Sequence, residues 1–148
     1  MKAAAGALLA VLAVAAAIIF AWPTASRGPE PIRYDRDQCA GCRMHLSQTG
    51  YAGELRDVEG RVTKYDDVGC LVRTLASAPN QYPGQWAEDH ESGQLVALET
   101  CTFVRSSAEK TPMGYGVVAY RDAASALRAV AKTGGRTVSM KELLKGGA

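Results

Sequence analysis

Arg61-Val62-Thr63-Lys64-Tyr65-Asp66-Asp67-Val68-Gly69-Cys70-Leu71-Val72 decides the fold. Tyr51 to Asp57 can be a strand, Glu59-Gly60 is a turn signal, and Arg61 to Tyr65 returns as a second strand, which predicts a hairpin. Asp66 or Asp67 then offers a side-chain oxygen to cap a helix. Val68, Leu71, Val72 and Leu75 recur at helical spacing, so one face of that helix is apolar. Pro79-Asn80 ends it.

The same grammar returns downstream. Tyr82 to Gly93 reads as irregular, broken by Pro83, Gly84 and Gly93. Gln94 to Arg105 reads as one long strand, and Gly116 to Arg121 as another, rich in valine and tyrosine. Asp122 caps a second helix, predicted to turn Ala123, Ala126, Leu127, Val130 and Ala131 inward, and Gly134-Gly135 stops it. Arg136 to Val138 can be a short strand, and Ser139 with Glu142 forms a capping-box pattern for a last helix. Lys64-Tyr65-Asp66-Asp67 before Leu71 parallels Ala119-Tyr120-Arg121-Asp122 before Ala126. The expected fold is α+β: two similar β-β-α halves packed on a shared core, preceded by an N-terminal transmembrane or signal helix.

That leading segment differs in composition from the rest. Ala3 to Trp22 is a run of twenty residues made of Ala, Leu, Val, Ile, Phe, Trp and one Gly. As a helix it is long enough to cross a bilayer. Its apolar core exceeds that of an ordinary cleavable signal, and Pro23 sits poorly beside a cut after Ala25, so residues 1–25 read as an uncleaved anchor. Residues 26–31, with two prolines and a glycine, read as a linker, and 32–145 as the folded domain. The expected location is the cell membrane, with that domain on the periplasmic or extracellular side. Setting 1–25 aside removes one of 17 basic residues and no acid, leaving 16 against 15. So even a balance gives no electrostatic footprint for nucleic acid.

Two clusters could carry chemistry. Cys39-Ala40-Gly41-Cys42-Arg43-Met44-His45 gathers two thiols, a thioether and an imidazole within seven residues. Thiolate and thioether are soft donors and select Cu(I) over hard cations. The same Cys39 and Cys42 could form a disulfide, half a zinc site lacking its second CxxC, or a redox pair, although redox CxxC motifs open a helix after a strand. Thr111-Pro112-Met113-Gly114-Tyr115-Gly116 places a methionine in a tight turn, unlike the usual core gap-filler. Cys70 follows Gly69 in the first turn of a helix and is read as a buried small hydrophobe. Cys101 is read as core or a disulfide partner, and His90, in a polar loop, as solvated. No G-x-S-x-G, phosphate loop or H-E-x-x-H is present.

Taken together, Cys39-x-x-Cys42-x-Met44, Tyr65-Asp66-Asp67-Val68-Gly69-Cys70, Phe103-Val104 and Thr111-Pro112-Met113-Gly114-Tyr115-Gly116 resemble the NosL family. Its members are extracytoplasmic copper-binding accessory proteins of nitrous oxide reductase. The resemblance covers roughly Cys39 to Ala131 and implies a two-half β-β-α fold. It implies a Cu(I) cargo passed toward the reductase apoprotein in concert with an ABC-type copper maturation complex. It implies that Met113, with one or both of Cys39 and Cys42, holds the ion, with Met44 and His45 as further candidates. Arg43 stands where the family pattern has glycine, and the lipid-attachment cysteine of many members has no counterpart here. A copper-binding protein without turnover is therefore the first expectation. A thiol–disulfide oxidoreductase using Cys39 and Cys42, and a structural exported domain with disulfides, are the alternatives.

Overall fold

A computed structural model describes residues 28–146. The expected membrane segment over 1–25 lies outside the described residues, and among those described no helix is long and apolar enough to cross a membrane.

The hairpin forms as expected, from β1 (Gly53–Arg56) and β2 (Val62–Tyr65). Helix α1 (Val68–Ser77) follows at once, and Asp67 is its cap, accepting the Gly69 N–H at 2.7 Å. A cap of this kind contributes about 1 kcal/mol. Asp66 does not cap; it turns back to accept the Ser47 N–H at 3.1 Å. Val68, Leu71, Val72 and Leu75 are all buried, as their spacing requires.

The stretch read as irregular contains β3 (Gly84–Glu88), an interior strand paired with β1 on one side and β4 (Leu95–Ala97) on the other. Its disguise is its composition: Trp86 and Ala87 are its only large or aliphatic apolar residues, and Gly84 lies under the Trp86 ring. Buried Glu88 is tolerated because it accepts the N–H groups of Gly50 and Ala52 and the hydroxyl of Tyr34. The expected long strand Gln94–Arg105 is divided. β4 belongs to the first sheet, a 3-10 turn (Leu98–Thr100) buries Leu98, and β5 (Thr102–Arg105) begins the second sheet.

β5 pairs with β6 (Val117–Tyr120) and β7 (Arg136–Val138). The first sheet runs β2-β1-β3-β4 and the second β6-β5-β7. The order second-first-third recurs, so the repeat is one of topology: hairpin, helix, return strand. Tyr65 and Tyr120 each end a second strand, and Asp67 and Asp122 each cap the helix that follows.

The two helices differ in what they cover. α1 packs on β1, β2 and β6 and on the last helix α3 (Met140–Gly146), placing its apolar face in the main core with Phe103, Val117, Ala119 and Leu143. α2 (Ala123–Thr133) covers only a small cluster of Val104, Val118, Tyr120 and Ala126. Ala123 and Ala131 are exposed and Leu127 is 60% exposed, contrary to the inward face expected of them. Among the described residues no third layer lies beyond α2 to receive that side. Both α2 and α3 end and begin as the sequence suggests, with Gly134 in the left-handed region and a Ser139–Glu142 capping box.

Two polar seams tie the molecule together. Asp89 accepts the Arg121 backbone N–H at 3.0 Å and its Nε at 3.1 Å, joining the end of β3 to the end of β6. His90 is not solvated as expected but half-buried, edge-on between the rings of Tyr51 and Tyr120. The described part of the expected linker is strapped down: Glu30 N–H donates to buried Glu54, Arg56 Nη2 to Gly28 O, and Lys64 Nζ to Pro31 O.

Candidate metal centre

The CxxC lies in a loop rather than at the start of a helix. Gln38 bridges His45 across the loop, Cys39 N–H donates to Met44 O, and Arg43 N–H donates to Cys39 O. The loop is laid against β2 by a parallel bridge between Cys39 and Lys64 and by the Ala40 N–H to Lys64 O bond. β2 runs on through Tyr65 into α1, whose first turn carries Cys70. Docking residue 39 beside residue 64 therefore brings Cys39 to Cys70. The Sγ atoms of Cys39, Cys42 and Cys70 all lie within 4.8 Å of one another. All four cysteines are free thiols, and Cys101 sits apart, donating to Ala97 O.

The sulfurs are electrostatically unequal. Cys39 is held well below the usual thiol range, first by a hydrogen bond from the Cys70 thiol, then by the backbone N–H groups of Asp66 and Cys42. Cys70 is pushed up, first as the donor to Cys39 and then by burial. Cys42 is pushed up by burial. Cys39 is thus the sulfur that gives up its proton most readily, and Cys42 and Cys70 hold theirs more firmly. An incoming soft cation can take the thiolate first and displace protons from the others.

Met113 approaches from the other half. The loop between β5 and β6 passes over the start of α1, and Met113 N–H donates to Asp67 Oδ2 at 3.0 Å. Tyr115 packs its ring directly on Gly69; a Cβ there would stand 2.2 Å from the ring. Gly116 closes the loop at a positive φ of 64°, with Ser106 O too near for a side chain. Cys42, Cys70, Arg73, Met113 and Tyr115 thus line one cleft of about 350 Å³. The donor set is sulfur throughout, which suits a soft monovalent cation better than a hard one. Zinc, which wants four N or S ligands, finds three thiols and no imidazole in the group.

Among the sequence candidates, the structure groups Cys39 with Cys42, and Met113 lines the cleft beside Cys42. Met44 is 56% exposed and His45 is exposed; neither lines the cleft. The Met44 backbone still serves the site, its N–H donating to Cys42 sulfur and its carbonyl accepting from Cys39. Cys70, read from sequence as a hydrophobe, is the third thiol. It is buried as well, at 6% exposure, so the packing reading and the ligand reading describe one residue. Arg43 adopts φ 67°, the left-handed region where glycine is at ease. The loop keeps the glycine conformation without the glycine.

The NosL family profile matches residues 32–146. The chain belongs to the NosL family. Among solved structures, the crystal structure of the copper chaperone NosL from Shewanella denitrificans superposes with a TM-score of 0.70. The two are 16% identical, and the match covers 78% of this chain and 94% of that one. At that identity the likeness is one of fold: the NosL architecture of two antiparallel sheets with three helices is preserved. No curated protein sequence matches the chain.

Proposed function

We propose that this chain is a Cu(I) metallochaperone, tethered to the membrane by its first 25 residues with the folded domain outside. It supplies copper for the copper centre of nitrous oxide reductase, working with the reductase apoprotein and an ABC-type maturation complex. The observation that carries the reading is a group of three thiols from the first half, two of which, Cys42 and Cys70, line one cleft with the Met113 side chain of the second half. Membership in the NosL family supports the client, and the apolar run Ala3–Trp22 supports the tether. Cys39, Cys42 and Cys70 would hold the ion from within, and Met113 from the cleft. Such a site would suit transfer: an acceptor's sulfur entering the cleft would replace the Met113 thioether while the thiols still hold the ion. The chain binds and hands on; it turns nothing over.

The test is anaerobic Cu(I) competition against a chromogenic chelator, using the full chain in detergent. One equivalent should bind, and Cys42→Ser, Cys70→Ser and Met113→Ala should each weaken it. Absent binding, or binding indifferent to all three substitutions, removes the copper site. The client is tested in a host that makes the reductase: without this chain the reductase should accumulate copper-poor, and a fully loaded enzyme would sink that assignment.

A further inference from the structure

The sulfur cluster has one accessible side. Cys39 is fully buried, whereas Cys42 and Met113, both half-buried, stand at the cleft with Arg73 and Tyr115. An acceptor that receives the ion by ligand exchange must bring its own donor in through this opening. The charge around it is of one sign. No aspartate or glutamate lines the cleft, and the acids nearest in sequence to Cys70, Asp66 and Asp67, are 1% and 0% exposed. Arg73 is exposed, with its Nη1 donating to Tyr115 OH at 2.8 Å. Among the described residues Arg33, Arg61, Arg121, Arg128 and Arg136 each hold a carboxylate, whereas Arg73, like Arg36 and Arg43, holds none, and of these three Arg73 alone lines the cleft. Its guanidinium is a planar fork suited to bidentate carboxylate pairing. It stands at the lip of the cleft, with a neutral hydroxyl as its hydrogen-bond partner.

Resting on the copper reading above, we infer that this lip is the docking surface for a protein acceptor with acidic residues beside its soft-metal ligands, and that Arg73 receives an acceptor carboxylate. The pairing steers the encounter and fixes which acceptor donor enters toward Cys42 and Met113. Attraction of this kind acts mainly on the rate of association and fades with salt.

The probe is a pair of synthetic peptides with the same Met-Xaa-Xaa-Met donors, one flanked by aspartates and one by lysines. Each is mixed anaerobically with the Cu(I)-loaded full chain in detergent, and copper loss is followed by the thiolate-to-copper absorption band. At low ionic strength the acidic peptide should take copper at least about tenfold faster, and this advantage should shrink at about 1 M salt, where the screening length is about 3 Å. Arg73→Gln should remove the advantage and Arg73→Lys, which keeps the charge and loses the fork, should retain only part of it. Tyr115→Phe, which deletes only the hydroxyl that Arg73 touches, should retain it. Equal rates for the two peptides on copper-loaded wild type overturn this inference and leave the copper site standing. So does an advantage that survives Arg73→Gln, or one that Tyr115→Phe abolishes as fully. A wild type that takes up no copper overturns both readings.

Discussion

Asp67 and Met113 share a hydrogen bond, 3.0 Å from the Met113 N–H to Oδ2, while Oδ1 of the same carboxylate caps Gly69 at 2.7 Å. One side chain thereby sets the helix that carries Cys70 and the loop that carries Met113. An amide in its place keeps one acceptor oxygen and turns a donor toward the other N–H. Asp67→Asn should therefore keep the helix cap, lose the Met113 contact, and weaken Cu(I) binding with a stability loss of about 1 kcal/mol. Asp67→Ala should lose both, costing about 2 kcal/mol. Urea unfolding beside chelator competition separates the two; equal copper affinity in wild type and Asp67→Asn would refute the coupling.

Arg43 sits at φ 67°, where a side chain is strained by about 1–2 kcal/mol. Arg43→Gly should raise stability by about 1 kcal/mol, less the entropy that glycine adds to the unfolded chain. The thermal midpoint should rise by a few degrees, with copper affinity retained. A lower midpoint would show that the Arg43 side chain contributes contacts that outweigh the strain.

Cys70 and Cys101 are both free thiols, but only Cys70 belongs to the sulfur group. Cys70→Ser should weaken Cu(I) binding at least about tenfold, or about 1.4 kcal/mol. Cys101→Ser should leave it unchanged. In the apo chain an alkylating reagent should react slowly with Cys101, whose thiol burial pushes up to about 11. Loss of copper affinity in Cys101→Ser alone would reverse the assignment.

Gly69 lies beneath the Tyr115 ring with no room for a methyl group. Gly69→Ala should push Tyr115 outward and carry Met113 with it, destabilising by about 1–3 kcal/mol and weakening copper binding. Pairing it with Tyr115→Ala should recover much of the stability but not the affinity. A double variant no more stable than Gly69→Ala would disprove the clash as the cause.

Burial of Asp89 works against its charge, but hydrogen bonds from Ser92 and Arg121 overcome this and hold its carboxyl below the usual range. The folded value is depressed, so the stabilisation is complete above the unfolded value of about 3.9 and is lost as pH falls through the folded one. Between pH 5 and pH 2 the urea midpoint of wild type should fall more steeply than that of Asp89→Asn. Parallel slopes would remove Asp89 from the acid response.

Much of this was legible in the chain, and the failures share a physical reason. Asp67, Asp122 and the Ser139–Glu142 box announce their helices because capping is a local interaction. β3 stayed hidden because the groups that satisfy Glu88 lie at Tyr34, Gly50 and Ala52, far away in sequence. The division of Gln94–Arg105 depends on which sheet each end joins, which no alternation of residues records. Cys39, Cys42 and Met113 stood out through their neighbours. Cys70 did not, since its partner Cys39 arrives only when residue 39 pairs with Lys64. Its trace in the sequence was its place after a cap and a glycine, where a helix begins.

The three thiols and the thioether come from opposite sides of the internal repeat, so an ion held by all of them would act as a rivet across a duplication. Ligand bound only by the assembled form stabilises that form by mass action. Loading should therefore slow amide exchange in β6 as well as in α1, although no sulfur ligand lies in the sheet of the second half. Letting the ion go would loosen the same joint. On that reading the cargo would be part of the chassis while aboard, and the empty carrier the more pliant of the two.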